Sequence, residues 1–293
     1  MEHASKPKRS ARRAETGGEI QPDAEDQIRN ALEEDSKLLI ILDELPMLLH
    51  KLITNDGEHG KKQAQDVLDW LRHLRQDAEF FKQVRQLIGG SIGLPRIASI
   101  IGSSHRINDL HPVEVRPLDR PKAKELATLL LKSRGVTLEN QVLEVFLDEV
   151  ETFVPIFIQI MASAVASEVK RTNQPATGEL IRECYQQRAL GPEFRLCFED
   201  YYERLDRYYS PEEARAARCM LRELAIAKGS LLKSSLLASY QNELGQAAEA
   251  AQFDLLLTWL SDDFYLEEIA GGRVHFKSRW MRDWWRTYHA TKS

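Results

Sequence analysis

Cysteine is scarce here. Cys184, Cys197 and Cys219 are the only three in 293 residues, too few and too widely spaced for a disulfide framework or a zinc site. All three fall in helical patterns and read as packing residues. No apolar run approaches the ~18 residues that a membrane-spanning helix needs, so none is expected. The N-terminus has basic residues but no apolar segment behind them, which argues against a secretory signal and leaves a cytoplasmic location as the expectation. The eight histidines show no metal-ligand spacing, no nucleophile stands beside a base, and no repeat occurs. Also missing is a turn of the form G-x-x-x-x-G-K-[ST] between a strand and a helix, the cradle that grips a nucleotide phosphate. Before Asp43 the only glycines are Gly17 and Gly18, with no apolar strand ahead of them and no lysine directly after.

What is present is ordinary for a soluble globular chain: 43% hydrophobic and 29% charged residues, with length enough for two domains. The net charge of −5 conceals an asymmetry, since residues 1–13 carry Lys6, Lys8, Arg9, Arg12 and Arg13 against Glu2 alone. A basic arm of this kind can bind nucleic acid, but a short polar terminus is more often simply disordered.

The richest stretch is Leu38-Leu39-Ile40-Ile41-Leu42-Asp43-Glu44. A wholly apolar run bounded by charge predicts a strand buried on both faces of a parallel sheet. Ligands of such sheets sit beyond the carboxyl ends of the strands, which is where Asp43 and Glu44 fall. A helix is predicted over 24–34. Pro46 is expected to turn the chain away, residues 55–60 to form a loop, and 61–76 an amphipathic helix. Further strands are predicted at 85–88, ahead of Gly89-Gly90-Ser91, and at 113–115. Strand, helix, strand in this order predicts parallel pairing.

From Asp119 the pattern is helical, over 121–133, 139–150, 155–170, 178–189 and 194–208. Ser210-Pro211-Glu212-Glu213 combines a cap, proline in the first turn and early acids, and so opens a new helix. Helices over 211–227, 233–243 and 247–261 precede a hairpin in which 264–269 and 273–276 flank Gly271-Gly272. Three helices and a hairpin make a winged-helix arrangement. Its would-be recognition helix has no Lys or Arg between 247 and 263, and residues 211–277 hold seven basic against ten acidic side chains. Duplex binding needs phosphate neutralisation, so the module reads as a protein-interaction element rather than a nucleic-acid binder. Trp280, Trp284 and Tyr288 share one helical face and read as a core stripe.

In combination these segments resemble the AAA-like, STAND-type P-loop ATPases of bacteria and archaea. Leu38 to Pro46, LLIILDELP, looks like that family's Walker B strand. Gly89 to Leu94, GGSIGL, looks like the end of the strand that senses the γ-phosphate. Phe153-Val154-Pro155 resembles the start of the helical lid, and Phe276 to Arg279 with Trp284-Trp285 resembles the ending after the wing. The resemblance implies an α/β plus α chain: a disordered arm (1–24), an incomplete P-loop sheet (25–118), a lid (119–209) and a C-terminal winged helix (210–293). It implies ATP and Mg²⁺ as ligands, with Asp43 on the metal, Glu44 as the catalytic residue orienting water, and Ser91 at the nucleotide phosphate. Arg96 and Arg106 are expected to be solvated surface residues outside the site.

The departure from the family is the missing Walker A turn. Three explanations fit: a fragment of a longer reading frame, which is the expectation; a degenerate ATPase serving as a regulatory or interaction module; or a cradle supplied by another chain. Hydrolysis by these residues alone is not expected. The partner is expected to be a protein, with a homo-oligomer left open.

Overall fold

The computed structural model describes residues 20–32, 36–78, 80–192, 194–227 and 229–290. The basic residues Lys6 to Arg13 lie outside them. The chain divides into two compact units, Met1–His111 and Pro112–Ser293. Among the described residues, no helix is long and apolar enough to cross a membrane.

The first unit begins with α1 (Ile20–Ala31), starting earlier than the predicted 24 and covering residues expected to lack structure. Pro22 falls in its first turn, where a missing N–H breaks no helical hydrogen bond. Strand β1 (Leu38–Leu42) follows, then the long α2 (Leu45–Gln76), a single turn α3 (Phe80–Gln83), strand β2 (Val84–Ile88) and the short α4 (Leu94–Ile100). Pro46 does not turn the chain away but sits in the first turn of α2. The loop expected at 55–60 is also absent as such. Helical turns run through it and only Gly57 departs, with φ 54° and ψ −127°, which breaks α2 into two segments at a corner.

Strands β1 and β2 pair in parallel, from Leu38 opposite Val84 to Leu42 opposite Ile88. Their inner face, with Leu38, Ile40 and Val84, packs on Trp70 and Leu74 of α2 and on Ile28 and Leu32. The Trp70 indole N–H donates to Glu25 at 2.9 Å, tying α1 to α2. The other face is open: Leu39 is 55% and Ile41 63% exposed, so β1 is not buried on both sides as expected. The strand predicted at 113–115 does not form. Val113 and Val115 are exposed, and Pro112 and Pro117 frame a segment too short to pair.

In the second unit, helices α5 (Arg120–Ser133), α6 (Asn140–Val150), α7 (Pro155–Thr172), α8 (Gly178–Glu183) and α9 (Leu196–Tyr208) match the predicted pattern. One change is that α8 widens into a π-helical turn over Cys184–Ala189. Burial raises the Cys184 thiol pKa to about 11, an inert packing role, whereas Cys197 is exposed and does not pack. Then come α10 (Pro211–Ile226), β3 (Leu231–Leu232), α11 (Lys233–Leu244), α12 (Ala250–Asp262), β4 (Leu266–Ile269), β5 (Arg273–Phe276) and α13 (Arg279–Tyr288). The Ser210 hydroxyl accepts from the Glu213 N–H while Glu213 accepts from the Ser210 N–H, a reciprocal cap. The hairpin turns through Ala270, Gly271 and Gly272, a three-residue connection in which both glycines take positive φ. Its sheet has the order β3-β5-β4, and the two-residue β3 was too short to leave a pattern in the sequence.

An acidic site at the carboxyl ends of the parallel strands

Pairing of β1 with β2 brings Asp43-Glu44 alongside Gly89-Gly90-Ser91, because the Gly89 N–H donates to the Leu42 carbonyl at 2.9 Å and prolongs the register by a step. All three sequence-predicted site residues therefore lie at one end of the sheet. Asp43 is exposed, and among the described residues no hydrogen bond or ion pair engages its carboxylate. A methyl group on Gly89 would sit 3.6 Å from an Asp43 carboxylate oxygen, so Asp43 lies against the glycine backbone. Gly90 is set even closer: a Cβ there would lie 2.7 Å from two carbons of the Pro46 ring. This contact between the strand end and the start of α2 was not foreseen from the sequence.

Glu44 caps α2 with φ 56° and ψ 28°, a left-handed conformation that costs a non-glycine residue about 1 kcal/mol. The conformation turns its side chain toward the end of β2. One carboxylate oxygen of Glu44 accepts from both the Ser91 N–H and the Ser91 hydroxyl, each at 3.0 Å, and that hydroxyl also lies 3.4 Å from the Met47 sulfur. The two residues are 47 positions apart and nothing local in the sequence predicts their contact.

The segment after α4 is fastened to α2 by arginines. Arg75 forms a two-pronged pair with Asp109 at 2.9 and 2.8 Å, and also donates to Gln86 of β2 and the Arg106 carbonyl. Arg106 grips Asp69 at 2.6 and 2.9 Å and donates to Ser103, while Arg72 donates to the His105 carbonyl. Arg106 is thus a structural strut. Arg96, expected at the surface, is only 4% exposed. Its charge, after burial, is the second cause that holds His50 below its ordinary pKa of 6.5.

A depressed histidine pKa has a definite sign. The unfolded chain binds the proton more tightly, so the contribution of neutral His50 is complete above 6.5 and lost as pH falls toward its folded value. Asp69 and Asp109, held low first by their arginine hydrogen bonds, act in the same direction at more acid pH. The urea midpoint of the chain is therefore expected to drop between pH 7 and 5.5, with a shallower slope in His50→Gln. Equal slopes would remove His50 from the account.

Chemically, Asp43 suits one ligand position of a hydrated Mg²⁺, which takes a carboxylate or two and leaves the rest to water and phosphate. No cluster of three or more metal-ligating side chains occurs among the described residues. The phosphate end does not fit: the sequence has no cradle, and α4, with seven residues, is too short to serve as one. The site offers one unengaged carboxylate, Asp43, and one tethered carboxylate, Glu44, with no phosphate cradle beside them.

No protein-family model and no curated protein sequence matches this chain. Among solved structures, the Walker-type ATPase PABY2304 of Pyrococcus abyssi superposes with a TM-score of 0.58 at 15% identity, over 85% of this chain. The chain spans 63% of that protein's length. At such identity the likeness is one of fold alone, that of a mostly helical chain that includes a small parallel sheet.

Proposed function

We propose that this chain is an AAA/STAND-type ATP-binding protein whose phosphate cradle comes from outside these residues, so that alone it does not hydrolyse ATP. In this reading β1 is the Walker B strand, Asp43 the Mg²⁺ ligand, Glu44 the residue that orients water and Ser91 the phosphate sensor. Residues 119–209 form the lid, residues 210–293 the winged helix, and the protein is cytoplasmic. The single observation that carries it is the exposed Asp43 beside a Glu44 held by Ser91, at the carboxyl ends of two parallel strands. The fold shared with a Walker-type ATPase supports it.

A second reading, a non-catalytic regulatory or interaction module, draws on the winged segment. Lys233 at the start of α11 is already paired with Asp254 of α12 at 2.9 Å and approached by Glu268 at 3.7 Å. That leaves little positive charge for a DNA backbone.

Equilibrium binding of Mg²⁺-ATP to the chain, with Asp43→Ala as control, tests the first reading. The expected result is no binding tighter than millimolar by the folded wild-type chain. Micromolar binding that Asp43→Ala abolishes would show a grip within these residues and sink the claim that the cradle is external.

A further inference from the structure

We propose that the open face of the β1–β2 sheet is a docking surface for one amphipathic helix of another polypeptide, lying antiparallel to the strands. This goes beyond the nucleotide reading and does not depend on it. Alternation along β1 puts Lys37, Leu39, Ile41 and Asp43 on that face, and pairing puts Arg85 beside Leu39 and Leu87 beside Ile41. Leu39, Ile41 and Leu87 are 55%, 63% and 46% exposed. Parallel sheets are normally covered by helices on both faces. Among the described residues only the inner face packs on helices, as its contacts with Leu74 and Trp70 show.

The dimensions select the occupant. Five residues of strand span ~17 Å and two strands lie ~5 Å apart, so the patch is one helix wide and about three helical turns long. A face of this size falls short of the roughly 800 Å² per partner of a stable interface, so it suits weak docking of one short helix rather than a stable dimer of the chain.

Charge then sets the direction. The amino ends of the strands carry Lys37 and Arg85, with Lys82 on the same cleft of about 410 Å³, and Lys37 is held there by its hydrogen bond to the Lys82 carbonyl at 2.8 Å. The carboxyl ends carry Asp43, with Glu44 next to it. A helix carries partial positive charge at its N-terminus and negative charge at its C-terminus. Both ends are matched only when its N-terminus lies over Asp43 and its C-terminus over Lys37 and Arg85. The partner is accordingly a helix with an apolar stripe, basic side chains in its first turn and acidic ones in its last.

The test uses two stapled, fluorescein-labelled helical peptides of about 14 residues, three to four turns. They share one leucine stripe. One has Lys in the first turn and Glu in the last, and the other has these exchanged. Anisotropy titration with the full chain is expected to show binding of the first peptide and at least ~10-fold weaker binding of the second. Ile41→Glu or Leu39→Glu, both at exposed positions, should weaken the first by ~10-fold or more with circular dichroism unchanged. The double variant Lys37→Glu/Arg85→Glu, which leaves both ends of the face acidic, should weaken the first peptide and remove the preference. Equal binding of the two peptides, binding of neither, or indifference to both glutamate variants overturns the proposal. So does a concentration-dependent dimer in sedimentation that Ile41→Glu abolishes, since the occupant would then be a second copy.

Discussion

Gly60→Ala is expected to destabilise the first unit by about 3 kcal/mol or more, above the usual range for one added methyl group. The corner at Gly57 sets Gly60 directly on an earlier turn of α2. A Cβ at Gly60 would lie 1.8 Å from the Leu52 carbonyl oxygen and 2.5 Å from its carbon. Both obstructing atoms are backbone, so no side-chain rotation relieves the clash and the two segments of α2 must part. Leu68, Leu71 and Leu74 on the second segment are buried, and Leu74 supports the inner sheet face. Parting the segments therefore loosens β1 and β2 as well. The measurement is amide hydrogen exchange over 38–42 and 84–88 together with the urea midpoint. Gly178→Ala is the control, because a Cβ there would meet Val145 at an ordinary 3.5 Å. If Gly60→Ala behaves like Gly178→Ala, the corner is not built as described.

That corner also shows where sequence reading succeeds and stops. Asn55, Asp56, Gly57, Glu58 and His59 do mark a break, but four of them sit on exposed helical turns and only Gly57 takes the special backbone conformation. Turn residues locate an irregularity without stating its length. Similarly, the run from Leu38 to Leu42 predicted a strand that forms, with Asp43 and Glu44 just past its end, and the parallel partner expected at 85–88 forms at 84–88. Its burial on both faces was wrong because inward and outward positions are equally apolar, so the run could not reveal that one face has no cover. The charges bracketing it, Lys37 and Asp43, fall on the same face as Leu39 and Ile41, and this period of two was the available signal.

The site divides in the same way. Asp43, Glu44 and Ser91 were readable because strand ends and their flanking polar residues follow from pattern, and the parallel pairing then brings them together. The left-handed Glu44 and its capture by Ser91 were not, since neither a backbone dihedral nor a contact across 47 residues is written locally. Arg96 was misplaced for a related reason. A charged residue defaults to the surface unless tertiary packing overrides it, and here α4 turns it inward.

Trp280→Ala is expected to destabilise the second unit by about 3–5 kcal/mol, the range for deleting a fully buried large aromatic side chain. The ring is stacked on Phe157 at 5.3 Å and Phe198 at 6.3 Å between centroids and meets the edge of Tyr185 at 5.0 Å. Its indole N–H donates to the Val150 carbonyl at 2.9 Å. Those partners come from α7, α9, the π-helical turn and the end of α6, so this one side chain of α13 keys the last helix into the bundle of residues 140–208. An ionic network lies beside it. Buried Asp283 accepts from the Tyr185 hydroxyl at 2.8 Å and is flanked by Arg279, Arg282 and Arg286, while burial and then the Asp283 charge raise the tyrosine pKa. Trp280→Phe separates packing from hydrogen bonding. It keeps most of the apolar volume and leaves the Val150 carbonyl without its donor, a loss of about 1–2 kcal/mol. Denaturant unfolding followed by near-ultraviolet circular dichroism reads both. An alanine cost several times the phenylalanine cost assigns the hold on α13 to aromatic packing, and equal costs would move it to the single hydrogen bond.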